Sequence, residues 1–328
     1  MQLSFEQIKA ISFGALFVTE EEDGVHYQRC TDKQIAAWKE MHPDLGERAG
    51  YSSGIALDFH TNSKAMRFAV SNGTSYDIFI NGVLRATLNM KEYRKKNEPA
   101  TIELDDPLGD PLDECRVTVY FPRGNDPAVI KYIELDDGAD VMPHKYDSKM
   151  VFYGDSITQG CSSVVHSFCY AHLVAEFFNA ESLNLGVGGG RFDPRTVDQI
   201  DYAPDTVVVS FGTNDYNHYQ TLDDMKQNAT AFLSAVKALH QNTAKHFFVI
   251  SPIWRADLKQ NPKPIGSFAE ARQIVIDAAK DHGMIHIDGL SLVPPFPEYF
   301  RDEYLHPNDL GFCLYAQNVI KAMSKYLK

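Results

Sequence analysis

The run 206–211, TVVVSF, is a nearly unbroken apolar stretch. A half-exposed strand alternates apolar with polar residues; an unbroken run marks a strand covered on both faces, as in the interior of a parallel sheet. Four further strand-like runs accompany it, at 150–153, 182–185, 246–251 and 284–287. Between them lie segments with helical periodicity, at 166–178, 222–238 and 267–281, and a last helix is expected after Pro307. This alternation predicts a doubly wound, parallel, five-stranded α/β sheet in the carboxyl-terminal half.

The chain changes character near residue 145. Before it, short alternating runs sit between turn signals, at 53–59, 65–71, 76–81, 83–89, 100–104, 116–121 and 128–135. Asn72-Gly73 and Asn81-Gly82 are dipeptides of the hairpin type. Many short strands with regular turns predict an all-β sandwich or jelly roll over residues 1–145. One helix, at 32–40 with Thr31 as its cap, is expected to interrupt it. The stretch 136–148, rich in Asp, Gly and Pro, reads as a linker to a second domain at 146–328.

With 328 residues the chain is long enough for two such domains. Its net charge of -13 argues against a nucleic-acid partner, because phosphate binding needs clustered Lys and Arg. No apolar run is long enough to span a bilayer, so no membrane partner is expected. The amino terminus lacks the basic start and long apolar stretch of a signal peptide. The cysteines (Cys30, Cys115, Cys161, Cys169 and Cys313) are odd in number and scattered. A reduced, cytoplasmic protein is the expectation. Self-association into a homo-oligomer is left open.

In open α/β sheets, ligands bind beyond the carboxyl ends of the strands. Ser156 follows the first predicted strand, Gly188-Gly189 the second, Asn214 the third, Trp254-Arg255 the fourth and His306 the fifth. Five separately read segments thus converge on one edge. A serine hydroxyl needs a base, and His306 is the natural one. Charge on a tetrahedral intermediate needs preorganised donors. The backbone N–H groups of Ser156 and Gly189 and the side-chain amide of Asn214 are the candidates. Asp155, Trp254 and Arg255 are candidates for binding substrate.

The ordered set MVFYGDSITQG (150–160), Asn184 through Gly190, Gly212-Thr-Asn-Asp215 and His306-Pro-Asn308 resembles the SGNH (GDSL) family of serine esterases and lipases over residues 147–328. The resemblance implies a flavodoxin-like catalytic domain, an acyl-serine intermediate and no cofactor. It implies the same roles for Ser156, Gly189, Asn214 and His306. The family carries Asp three residues before the histidine. Here that position is Glu303, with Asp302 one step further back. The third member is therefore Glu303, Asp302, or neither, as in branches that run a Ser-His dyad with a backbone carbonyl. A β-domain ahead of such a hydrolase is similar to bacterial carbohydrate esterases with a jelly roll. This implies a small-molecule or oligosaccharide ester as substrate, acetylated sugars first. A lipid or acyl-thioester hydrolase and a non-catalytic carbohydrate-binding protein are the alternatives.

Other motifs read more plainly. The G-x-S-x-G elbow is absent, since Thr158 holds its last position, and Arg191 breaks the dinucleotide fingerprint begun by Gly186 and Gly188. His282 and His286 are four apart with Gly283 between them, and no carboxylate spacing completes a zinc motif, so no metal is expected.

Overall fold

The computed structural model describes residues 1–105, 113–124, 127–258 and 263–327. They divide into two compact units. The first comprises Met1–Arg29, Gly50–Tyr146 and Val165–Ser167, and the second Cys30–Ala49, Asp147–Val164 and Phe168–Lys328.

The first unit carries helix α1 (Phe5–Ala10) and strands β1 (Ser12–Phe13), β2 (Phe17–Glu21) and β3 (Gly24–Gln28). After the segment 30–49, which holds helices α2 (Asp32–Met41) and α3 (Pro43–Ala49), it resumes with β4 (Ala56–Thr61), β5 (Ala65–Asn72), β6 (Ser75–Ile80) and β7 (Val83–Asn89). Helix α4 (Met90–Lys96) and strands β8 (Ala100–Glu103), β9 (Cys115–Tyr120), β10 (Val129–Leu135) and β11 (Met142–Pro143) complete it. Two antiparallel sheets result, ordered β1-β4-β9-β6-β7, with β11 on β4, and β2-β3-β10-β5-β8. Leu57, Phe59, Ile78, Ile80, Val117 and Val119 of one sheet share a buried cluster with Met66, Phe68, Val70, Ile130 and Ile133 of the other. The two-residue spacing within β4, β5, β6 and β9 puts these side chains on the inner face, as a sandwich requires; in β10 an irregularity between Ile130 and Tyr132 makes the step from Ile130 to Ile133 three residues.

Two readings of this half need correction. Asn81-Gly82 is a hairpin turn with both residues at positive φ, but Asn72-Gly73 is not. β5 pairs with β10 and β8, whereas β6 pairs with β7 and β9, so the chain crosses between sheets there. The stretch read as a linker is also not free chain. β11 pairs with β4, and the Tyr146 hydroxyl donates to Asp58 at 2.5 Å. Asp58 is fully buried and accepts a two-pronged bond from Arg116, at 2.9 and 2.6 Å. That geometry is the strongest form of ion pair and offsets the cost of burying the carboxylate.

The second unit is the expected parallel sheet. Its strands are β12 (Ser148–Gly154), β13 (Ala180–Gly186), β14 (Thr206–Ser210), β15 (His246–Ile250) and β16 (Ile285–Ile287), in the order β13-β12-β14-β15-β16. Its helices after α4 are α5 (Ser156–Gln159), α6 (Tyr170–Phe177), α7 (Thr213–His218), α8 (Leu222–His240), α9 (Phe268–Asp281) and α10 (Asp309–Met323). Side-chain caps start the long ones: Thr221 for α8, Ser267 in a capping box with Glu270 for α9, and Asn308 for α10. Val207, Val208 and Val209 have no exposure, as the TVVVSF run predicts. Among the described residues, no helix is long and apolar enough to cross a membrane.

One boundary between the units falls at Tyr146/Asp147, one residue from the expected 145/146, but the units also exchange segments that a single break does not describe: Cys30–Ala49 groups with the second unit and Val165–Ser167 with the first. The predicted helix exists as α2, with Thr31 and Gln34 forming a capping box, but it and α3 pack in the second unit. The Thr31 hydroxyl donates to Asp198 at 2.7 Å, and Gln34 donates to the Thr196 carbonyl at 3.0 Å. The physical cause is the buried face of the pair: Ala37, Trp38, Leu45 and Ala49 need an apolar cover.

Candidate active site

β12 lies between β13 and β14, and Gly154 at its end is in register with Gly186 and Ser210. The sheet order reverses direction on the two sides of this strand, which is where open α/β sheets hold ligands. A side chain at 154 would come within 2.0 Å of the Thr158 hydroxyl, so only glycine lets the chain turn directly into α5. Asp155 caps that turn by accepting from the Ile157 N–H at 2.9 Å. Ser156 is thereby set at the first position of the helix, 7% exposed.

The Ser156 hydroxyl lies 2.8 Å from His306 Nε2, and His306 Nδ1 lies 2.6 Å from Asp302 Oδ2. A carboxylate only accepts, so Asp302 places the imidazole proton on Nδ1 and leaves Nε2 to accept from the serine. Asp302 is itself fixed. Its Oδ1 accepts from the N–H groups of Tyr304, Leu305 and His306, at 3.1, 2.9 and 3.0 Å. Burial pushes its carboxyl up, but these N–H donors and the His306 ring outweigh that and hold it below the ordinary carboxylate range.

Glu303, the position the family spacing favours, is not the residue on the imidazole. The segment folds into a tight turn closed by a Phe300–Pro307 bridge and an Arg301 N–H to His306 carbonyl bond of 2.8 Å. Glu303 takes the left-handed conformation in that turn, with φ +63°. The turn brings the residue four before the histidine back onto it, and the residue three before it is exposed.

The three expected oxyanion donors stand at the ends of three neighbouring strands. In the loop after β13, the Gly188 N–H is taken by Gln159 Oε1 and the Gly190 N–H by the Val187 carbonyl, both at 2.7 Å. Gly189 lies between them at φ +85°. Neither its N–H nor that of Ser156 has a protein acceptor among the described residues. Asn214 stands in the first turn of α7 and donates one amide hydrogen to the Gly190 carbonyl at 3.0 Å, leaving the second for another acceptor. Asn184 is a structural tie: its amide donates to the Thr158 carbonyl and accepts from the Gly186 N–H.

The residues expected to bind substrate behave differently. Arg255 is 3% exposed and bonds Asp257 through Nε and Nη2, at 2.7 and 2.8 Å, and Thr213 through Nη1. It fastens the loop after β15 to the residue before Asn214 and has no free face. Asp155 is 3% exposed and spent on its cap. Trp254 is half-buried, tilted against Phe300 with ring centres 5.1 Å apart. Two residues that sequence reasoning passed over, Gln159 and Arg48, touch the glycine loop directly.

Asp155 and Asp215 are both buried, and burial pushes each up to about 7. Asp215 accepts from the Phe192 N–H at 2.9 Å, while its Oδ2 is buried without a partner. Among the described residues, Glu21, Asp23 and His26 are near enough to share a metal ion, but they lie on the β2–β3 hairpin of the first unit and His26 already bonds Asp23 at 2.7 Å.

Comparison with known proteins places these features. Residues 152–312 match the model of the GDSL-like Lipase/Acylhydrolase family. No curated protein matches the chain in sequence. Among solved structures, the salicylyl-acyltransferase SsfX3 from a tetracycline biosynthetic pathway is similar, with a TM-score of 0.78 and 18% identity over 96% of this chain and 94% of that one. A family two carbohydrate esterase from Cellvibrio japonicus has a TM-score of 0.66 and 14% identity, over 99% and 97%. One from Clostridium thermocellum, in complex with cellohexaose, has a TM-score of 0.63 and 15% identity, over 96% and 98%. At such identities the likeness speaks for the fold.

Proposed function

We propose, from the match of residues 152–312 to the GDSL-like Lipase/Acylhydrolase family model and from the geometry around Ser156, that this chain is a serine esterase that releases short acyl groups, acetyl first, from esters of carbohydrates. The observation that carries the reading is the continuous chain of contacts from Asp302 through His306 to Ser156, 2.6 and 2.8 Å long.

The geometry supports the following course. Ser156 Oγ attacks the ester carbonyl carbon as its proton passes to His306 Nε2. The carbonyl π pair moves onto oxygen, and that oxyanion is met by the N–H groups of Ser156 and Gly189 and the amide of Asn214. Collapse breaks the bond to the sugar oxygen, which leaves with the proton from His306. Water then repeats the sequence on the acyl-serine, with His306 again as base, to free the acid and the serine. Asp302 stays ionised and stabilises the imidazolium.

The carbohydrate assignment draws on neighbours described as family two carbohydrate esterases that match nearly the whole chain. A second reading, transfer of the acyl group to an alcohol instead of water, is favoured by the fit to an acyltransferase at a TM-score of 0.78 over nearly the whole chain. The test is a screen of acetylated mono- and oligosaccharides with acetate detection, run with and without added alcohol acceptors. Acetate release lost in Ser156→Ala supports the esterase. Acylated acceptor formed in preference to acetate moves the protein to the second reading.

A further inference from the structure

Of the three oxyanion donors in the proposed mechanism, two are built into helix starts, and only the Gly189 N–H lies in an irregular loop. The contacts that hold this loop come from far away in sequence. The Gly188 carbonyl accepts from Arg48 Nη1 of α3 at 2.7 Å. That carbonyl belongs to the same peptide unit as the Gly189 N–H. A planar peptide with its oxygen pinned has its N–H direction fixed as well. A charged donor on the oxygen also draws electron density through the amide and makes the opposite N–H a stronger donor. Gln159 secures both sides of the arrangement. Its Oε1 accepts from the Gly188 N–H at 2.7 Å, and its Nε2 donates to the Arg48 backbone carbonyl at 3.1 Å. α3 also walls the glycine. A side chain at 189 would come within 3.0 Å of Leu45 Cδ2 and 3.2 Å of Arg48 Nη1.

We propose that Arg48 is a positioning residue of the oxyanion hole, acting through the 188–189 peptide, with Gln159 as its brace. The inference rests on the acyl-serine reading above. The pair α2–α3, inserted in sequence within the β-sandwich half, is by this argument a functional part of the hydrolase unit.

The test compares wild type with Arg48→Met, Arg48→Lys and Arg48→Gln on one acetyl ester, with the melting temperature and fluorophosphonate labelling of Ser156 measured alongside. Since the peptide N–H meets charge only in the transition state, Arg48→Met should lower kcat by about 10- to 100-fold, less than loss of a whole donor, with KM changed less than about twofold. Arg48→Lys, which restores a cationic donor, should recover part of the loss. If Arg48→Met does not fold, Arg48→Gln carries the test with the same criteria. A kcat within twofold of wild type, or a loss confined to KM, overturns the proposal. Failure of the underlying reading looks different: wild type would then neither turn over the ester nor take label on Ser156.

Discussion

At the scale of single residues, the site is organised by which atoms are already satisfied. Asp302 has one oxygen saturated by three N–H groups and the other aimed at His306. Asp302→Asn would keep the shape but favour the wrong imidazole tautomer, and kcat should fall by about 10³- to 10⁴-fold, as in other triads. Glu303→Gln, assayed beside it, should cost less than about tenfold; the reverse ranking would show that the turn rearranges when substrate binds. Asn214→Ala should lower kcat by about 10²- to 10³-fold with little change in KM. An effect on KM alone would make Asn214 a ground-state ligand. The choice between Glu303 and Asp302 was not legible in the sequence, because it depends on Glu303 adopting φ +63°. Spacing counts residues, whereas a left-handed turn decides which of two adjacent carboxylates faces the ring. Arg255 shows a related limit of spacing: it follows β15, as the sequence predicts, but its guanidinium is bonded to Asp257, two residues on.

At the scale of elements, the carboxyl-terminal half was legible because its signals are local. TVVVSF needs two covered faces, and Gly154-Asp155-Ser156 needs a glycine and a cap to turn from β12 into α5. The destination of α2 was not legible. Thr31 and Gln34 announce a helix start, but nothing in the helix names the surface that will cover Trp38. The same buried turns carry a cost that pH exposes. Asp155, just before Ser156, and Asp215, in the first turn of α7, are raised to about 7, chiefly by burial. A group raised on folding contributes stability that is full below its unfolded value, near 4, and is lost as pH rises through 7. The melting temperature should therefore decline between about pH 4 and 7 and level off above. Asp215→Asn keeps an acceptor for the Phe192 N–H while removing one titrating group, so it should flatten that decline. An unchanged slope across the same pH series would mean that Asp215 does not titrate on folding.

At the scale of the whole molecule, the chain is a parallel-sheet unit, which carries the match to the GDSL-like family model, and a two-sheet β-sandwich, and their sequences interleave. On the proposed reading as an esterase of short acyl groups, acetyl esters should be cleaved far faster than octanoyl esters. A preference for octanoyl would point to a lipid or thioester substrate. Everything in the account depends on one nucleophile. The most direct measurement is intact-mass and peptide mapping of the protein after treatment with a fluorophosphonate, for wild type and Ser156→Ala in parallel. The account predicts a single adduct on the peptide containing Ser156, and no adduct on a Ser156→Ala protein with an unchanged melting temperature. An adduct on another residue, or labelling that survives in Ser156→Ala, would contradict it.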